Sequence, residues 1–222
     1  MARRAAFICF SALLYPFLIW SRATGNEAVS SILVPLFVFG TLLNAFTCAF
    51  RRDQAGNMGL FLAAFVFIFS GDFLINLSPW KKLSPVSFGI AHFLLGLYFT
   101  SLTGKGKRDF IAALFVGGAS LAFFLRYGSG LPSGALVLVL GGYLSLLSFM
   151  MWRAAVLFFS RQLFFTFRSC VFLGALLFYG TDLVVALHNI EPKAGQIIAI
   201  WILYPPALFF LSLSSGMKKR YI

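Results

Sequence analysis

Acidic side chains are the scarcest chemistry in this sequence: Asp and Glu together number 6 among 222 residues, and charged residues of all kinds make up 11%. A soluble domain of this length needs far more charge to cover its surface, which excludes an ordinary water-soluble globule. Cysteine is almost absent as well. Cys9, Cys48 and Cys170 stand alone within apolar stretches and form no ligand-spaced pair, which excludes a disulfide framework or a cysteine metal site. There is no Ser-x-Gly nucleophile elbow, no His-rich cluster and no Gly-rich phosphate loop, so neither a metal nor a cofactor is expected. One His and two Asp within apolar runs could hold an ion in principle, but no local spacing supports it. No polar segment is long enough to fold separately, so residues 1–222 are expected to form one integral membrane domain.

Long apolar runs are abundant. Hydrophobic residues account for 60% of the chain, 29 of them phenylalanine, and the mean hydropathy is +0.92. The runs are continuous blocks, and a bilayer core of roughly 30 Å needs about 20 such residues as a helix. Eight blocks qualify, approximately 5–21, 29–50, 58–77, 84–103, 109–127, 132–152, 165–189 and 195–216. Between them lie "SRATGNE", "RRDQAGN", "SPWKKLSP", "TGKGKRD", "RYGSGLP", the stretch from Arg153 to Arg161, and "NIEPKAG". Each joins helix-ending residues to charge or polarity, where a helix leaves the bilayer. The expected fold class is therefore all-α, a polytopic bundle of eight transmembrane helices. Arg3 and Arg4 followed by an apolar run could suggest a cleaved leader. The run continues to Trp20 without a small-residue cleavage site, which favours a retained first helix.

The net charge of +12 does not point to nucleic acid, because the basic residues sit in short clusters between spans. They read as topology signals and contacts to anionic head groups of the lipid bilayer. With eight spans, 13 of the 18 Lys and Arg fall on one side: Arg3, Arg4, Arg51, Arg52, Lys105, Lys107, Arg108, Arg153, Arg161, Arg168, Lys218, Lys219 and Arg220. The other 5 are Arg22, Lys81, Lys82, Arg126 and Lys193. The positive-inside rule places both termini in the cytoplasm, consistent with a multi-pass protein of a bacterial inner membrane.

Of the acidic residues, only Asp72 and Asp182 sit well inside spans. Ionisable groups there are costly and mark functional sites by default, although a lone intramembrane Asp also serves as a hydrogen-bonding strut between helices. His92 is a third such group. Measured from the expected helix ends, Asp72, Asp182, His92 and Tyr204 all lie about 8 to 14 Å below the outer rim at 1.5 Å per residue. Asn76 lies one turn from Asp72 toward that rim, and Lys81 and Lys82 mark the rim itself. His188 reads as an interface residue, Arg168 as a snorkelling one and Asn44 as a structural one. "FSGDFL" and "YGTDLV" lie 110 residues apart; duplication of a four-helix unit and coincidence both account for that echo. Two carboxyls at one depth suit a pair with one protonated and one ionised member, acid and base respectively. Such a pair suits hydrolysis by water or proton-coupled transport of a small molecule or lipid. An intramembrane aspartyl protease fits poorly, because Phe69 stands where a "GxGD" motif needs glycine.

Four segments carry a family resemblance: "FSGDFLINL" with Asp72, "GIAHFLLGLYF" with His92, "GALLFYGTDLVVAL" with Asp182 and "WILYPPALFFLSLS" with Tyr204. In order and spacing they resemble the YhhN family, with Thr181 and Pro205-Pro206 departing from its usual residues. The resemblance implies a lysoplasmalogenase, which hydrolyses the vinyl ether bond of a lysophospholipid to a fatty aldehyde and glycerophosphoethanolamine or glycerophosphocholine. It implies Asp72 and Asp182 as the catalytic pair. His92, Tyr204, Asn76, Lys81 and Lys82 are then candidates to orient the pair or bind substrate.

Overall fold

A computed structural model describes residues 2–49, 57–103 and 107–217. Eight α-helices account for nearly all of them: α1 (Ala2–Ala23), α2 (Glu27–Ala49), α3 (Met58–Leu77), α4 (Ser84–Ser101), α5 (Lys107–Tyr127), α6 (Gly134–Phe158), α7 (Phe165–Ile190) and α8 (Ala194–Ser215). All eight are long and apolar enough to cross a membrane. The chain is a polytopic helical membrane bundle. Leu13, Phe17, Phe110, Phe115 and Leu138 are exposed on its outer surface, as expected where the solvent is lipid. Arg51, Arg52, Asp53, Lys105 and the basic tail Lys218, Lys219 and Arg220 lie outside the described residues.

Six helices close a ring in the order α2, α3, α4, α6, α7, α8, each packed on the next and α8 returning to α2. Helix α1 lies against α2 and α8, and α5 lies against α6. Advancing every helix by four positions maps most of these pairings onto one another: α1–α2 onto α5–α6, α2–α3 onto α6–α7, α3–α4 onto α7–α8, and α4–α6 onto α8–α2. The helix pairings thus share a four-helix periodicity, the same offset that separates the two Asp segments. Helices α3 and α7 occupy opposite positions of the ring.

Core stripes at helical spacing make this ring. On α3 the buried residues are Phe61, Ala64, Phe65, Ile68, Gly71 and Asp72. On α7 the stripe runs through Val171, Gly174, Ala175, Phe178 and Asp182. Both carboxyls therefore continue the inward stripe of their helix rather than interrupting it. Close approach needs glycine at two places. A Cβ on Gly174 would lie 2.7 Å from Leu211 Cγ and 2.9 Å from the Leu211 backbone nitrogen, so α7 and α8 touch nearly backbone to backbone. A Cβ on Gly71 would lie 2.8 Å from the Phe88 ring, so the glycine of "SGD" makes room for an aromatic wall beside Asp72.

One freed backbone group is answered by a neighbouring helix, as hydrocarbon demands. Pro206 has no N–H for the carbonyl of Ile202, and the Tyr15 hydroxyl of α1 donates to that oxygen at 2.9 Å. Asn44 donates to the Ser212 carbonyl and hydroxyl at 3.1 and 2.8 Å, the structural role expected of it. Span six is longer than its hydropathy suggests. Helix α6 runs to Phe158, so Arg153 is neither in a loop nor a surface topology signal; it is 6% exposed. Its Nη1 meets Asp109 at 3.2 Å, its Nη2 donates to Thr103, and the indole of Trp152 donates to the Asp109 carbonyl at 2.7 Å. That pairing repays burial of the charge and lets the helix continue.

Candidate active site

The level expected for the intramembrane polar groups holds two hydrogen-bonded clusters, one on each carboxyl. Tyr204 of α8 donates to Asp72 Oδ2 on α3. Across the ring, His92 Nε2 of α4 lies 2.6 Å from Asp182 Oδ2, and the Tyr143 hydroxyl of α6 donates to that same oxygen at 2.7 Å. His92 Nε2 and the Tyr143 hydroxyl are 3.2 Å apart. His92 is fully buried, while Asp72, Tyr204 and Asp182 are 4%, 5% and 8% exposed.

Aromatic rings join the clusters. Phe178, one turn before Asp182, packs edge-on against His92 at 4.8 Å and against Tyr204 at 5.6 Å. Phe88, one turn before His92, meets Phe178 at 6.3 Å and Tyr204 at 6.4 Å. Toward the end of the bundle that carries the chain termini, Phe61, Phe65, Ile68, Leu95 and Tyr98 fill the core and are fully buried. The acid groups thus sit above an apolar floor, and toward the opposite rim polar contacts continue through Asn76 and Arg22. His92 Nδ1 is buried with no hydrogen-bond partner among the described residues. Nε2 faces both Asp182 Oδ2 and the Tyr143 hydroxyl.

The sequence-predicted residues divide clearly. Asp72, Asp182, His92 and Tyr204 come together. Asn76 turns its amide to the Asp72 backbone carbonyl at 2.9 Å and accepts from Arg22 Nη2 at 3.1 Å. It therefore supports the site from one turn above and does not touch the Asp72 carboxyl. Lys81 and Lys82 lie on a single 3-10 turn between α3 and α4 and are exposed. His188 binds Gln196 Oε1 at 3.1 Å near the rim, and Arg168 donates to the Ser160 carbonyl at 2.6 Å. Among the described residues no three His, Cys, Asp or Glu side chains gather as a metal site.

Two residues of the site were not legible as such. Tyr143 lies nine residues into α6, the same depth as the other four groups. A depth test applied to every polar ring would have selected it, but one tyrosine in an aromatic-rich chain carries no mark of its own. Arg22 was one of five basic residues on its side of the membrane, with nothing to separate it from a snorkelling side chain. No curated protein and no solved structure matches the chain. Residues 31–215, which carry all five members of the two clusters, match the YhhN family, and the chain belongs to that family.

Proposed function

We propose that this protein is an intramembrane hydrolase that cleaves the vinyl ether bond of lysoplasmalogens, with Asp72 and Asp182 as the acid and base. Membership of the YhhN family, known for hydrolases, supports the class of reaction. The observation that carries the residue assignment is the delivery of two buried carboxyls from opposite helices of one ring, each held by its own donors and walled by shared aromatics.

Hydrogen-bond donors separate the two roles. Asp182 Oδ2 faces both His92 and Tyr143, an arrangement that suits a carboxylate. Among the described residues Asp72 receives one donor, Tyr204, which leaves its other oxygen to carry a proton. Asp72 gives that proton to the alkenyl carbon distal to the ether oxygen, and the double-bond electrons form the new C–H bond. The resulting oxocarbenium ion is stabilised by the Asp182 carboxylate. Water adds to the cationic carbon and passes a proton to Asp182, giving a hemiacetal. The hemiacetal C–O bond to glycerol breaks, its hydroxyl proton goes to the glycerol oxygen, and the aldehyde departs. Proton transfer from Asp182 to Asp72 restores the pair. Net, one water is consumed for one aldehyde and one glycerophospho-alcohol. The alkenyl chain lies among the phenylalanine-rich helices, with the head group toward the outer rim.

The test is aldehyde release by purified protein given lysoplasmalogen. Asp72→Asn and Asp182→Asn are each expected to lower kcat by about 10²- to 10⁴-fold, the contribution of a positioned acid or base. Full release by both variants refutes the acid pair. No release by the wild type from any ether or ester lysolipid refutes the hydrolase reading in favour of proton-coupled transport.

A further inference from the structure

The clusters on Asp72 and Asp182 leave one basic group beside them without a role. Arg22, at the end of α1, lays its guanidinium over the Trp201 ring at 4.3 Å and donates from Nη2 to Asn76 Oδ1 at 3.1 Å. These two contacts are placed in register with the site. Asn76 is one turn from Asp72, and Trp201 is three residues from Tyr204, each toward the same rim. Arg22 therefore roofs the Asp72–Tyr204 pair one helical turn above it. Its Nε is buried and has no hydrogen-bond partner among the described residues, although the side chain as a whole is only half-buried. The ion pairs among the described residues involve other groups. A planar cation, stacked flat and held on one edge, presents its remaining N–H groups to an anion with several acceptor oxygens.

We infer that Arg22 is the residue that recognises the phosphate of the substrate, and that it sets the distance between the phosphate and the acid pair. This rests on the hydrolase reading above and adds the substrate's anionic end to it. One helical turn is about 5.4 Å. In a 1-alkenyl lysophospholipid the ether oxygen and the phosphorus are separated by five single bonds, about 6 Å when extended. A phosphate on Arg22 thus puts the vinyl ether at the level of Asp72. Lys81 and Lys82, exposed on the α3–α4 turn, have no such register.

The experiment compares two substrates with the full-length protein in a phosphate-free detergent: 1-alkenyl-lysophosphatidylethanolamine and 1-alkenylglycerol, which lacks the phosphate. The wild type is expected to prefer the phosphorylated substrate through KM. Arg22→Gln is expected to lose that preference by about 10- to 100-fold, the worth of a charge-assisted contact. Arg22→Lys, which keeps charge without the stacked plane, is expected to fall between them, and it is read instead if Arg22→Gln does not fold. Retention of the full preference by Arg22→Gln overturns the inference. An equal loss on both substrates also overturns it, and marks Arg22 as a clamp between helices.

A second arm measures protection from thermal unfolding by the saturated 1-O-alkyl analogues, with and without phosphate, which need no turnover. Protection by the phosphorylated analogue is expected to weaken in Arg22→Gln and that by the alkylglycerol to persist. If the wild type releases no aldehyde, the hydrolase reading fails and this arm alone decides Arg22. Equal protection by inorganic phosphate at the lipid's concentration overturns the assignment to a lipid head group.

Discussion

Removing single hydroxyls at Tyr204 and Tyr143 tests the division of roles between the two carboxyls. Tyr204→Phe keeps the ring that packs against Phe178, Phe88 and Trp201 and deletes only the donor to Asp72. In the proposed mechanism Asp72 becomes a buried anion when it gives its proton to the alkenyl carbon, and Tyr204 is its one donor among the described residues. The bond to Tyr204 therefore strengthens on the way to the transition state, which is where an interaction raises kcat. A charge-assisted bond of about 1.5–3 kcal/mol predicts a fall of about 10- to 150-fold in kcat. Tyr143→Phe removes one of two donors to Asp182 and leaves His92 in place at 2.6 Å. In the proposed mechanism Asp182 acts as the carboxylate partner throughout the protonation step, so the lost bond is similar in ground and transition states, and about 1 kcal/mol or less predicts a fall of about fivefold. Aldehyde release coupled to alcohol dehydrogenase and NADH oxidation gives kcat and KM for both variants, and thermal unfolding in detergent checks that each is folded. Equal losses, or the larger loss in Tyr143→Phe, refute the assignment of Asp72 as the acid.

Other outcomes follow from particular contacts. Asp109→Ala leaves Arg153 buried without its carboxylate and is expected to destabilise the protein by about 3–5 kcal/mol, read as a lowered Tm. Gly174→Val places side-chain atoms against the Leu211 backbone and is expected to separate α7 from α8; normal expression and Tm would contradict the close approach. Tyr15→Phe strips the donor from the Ile202 carbonyl that Pro206 frees and is expected to cost about 1–3 kcal/mol in unfolding experiments. Neutral replacement of Lys81 and Lys82 together is expected to raise KM for lysoplasmalogen by less than Arg22→Gln does.

The number of helices, their ends to within a few residues, and the depth of Asp72, Asp182, His92 and Tyr204 were determined by the sequence alone. These properties are local: hydropathy sets where a helix enters the bilayer, and a constant rise per residue converts position into depth. The end of α6 escaped because a charged Arg153 resembles a loop residue until Asp109 is seen to pair with it. Depth, however, does not say which groups meet. The helices of the ring are apolar on most faces, since lipid and core demand similar side chains, so periodicity does not reveal how each is rotated or which neighbour it finds. Only the tertiary structure placed α3 and α7 on opposite sides of one ring and assigned Tyr204 to Asp72. It alone gave His92 and Tyr143 to Asp182, and brought Arg22 from the end of α1 over Trp201. Those meetings depend on the packing of helices far apart in the chain, with Asp72 and Tyr204 separated by 132 residues, and no local pattern encodes them.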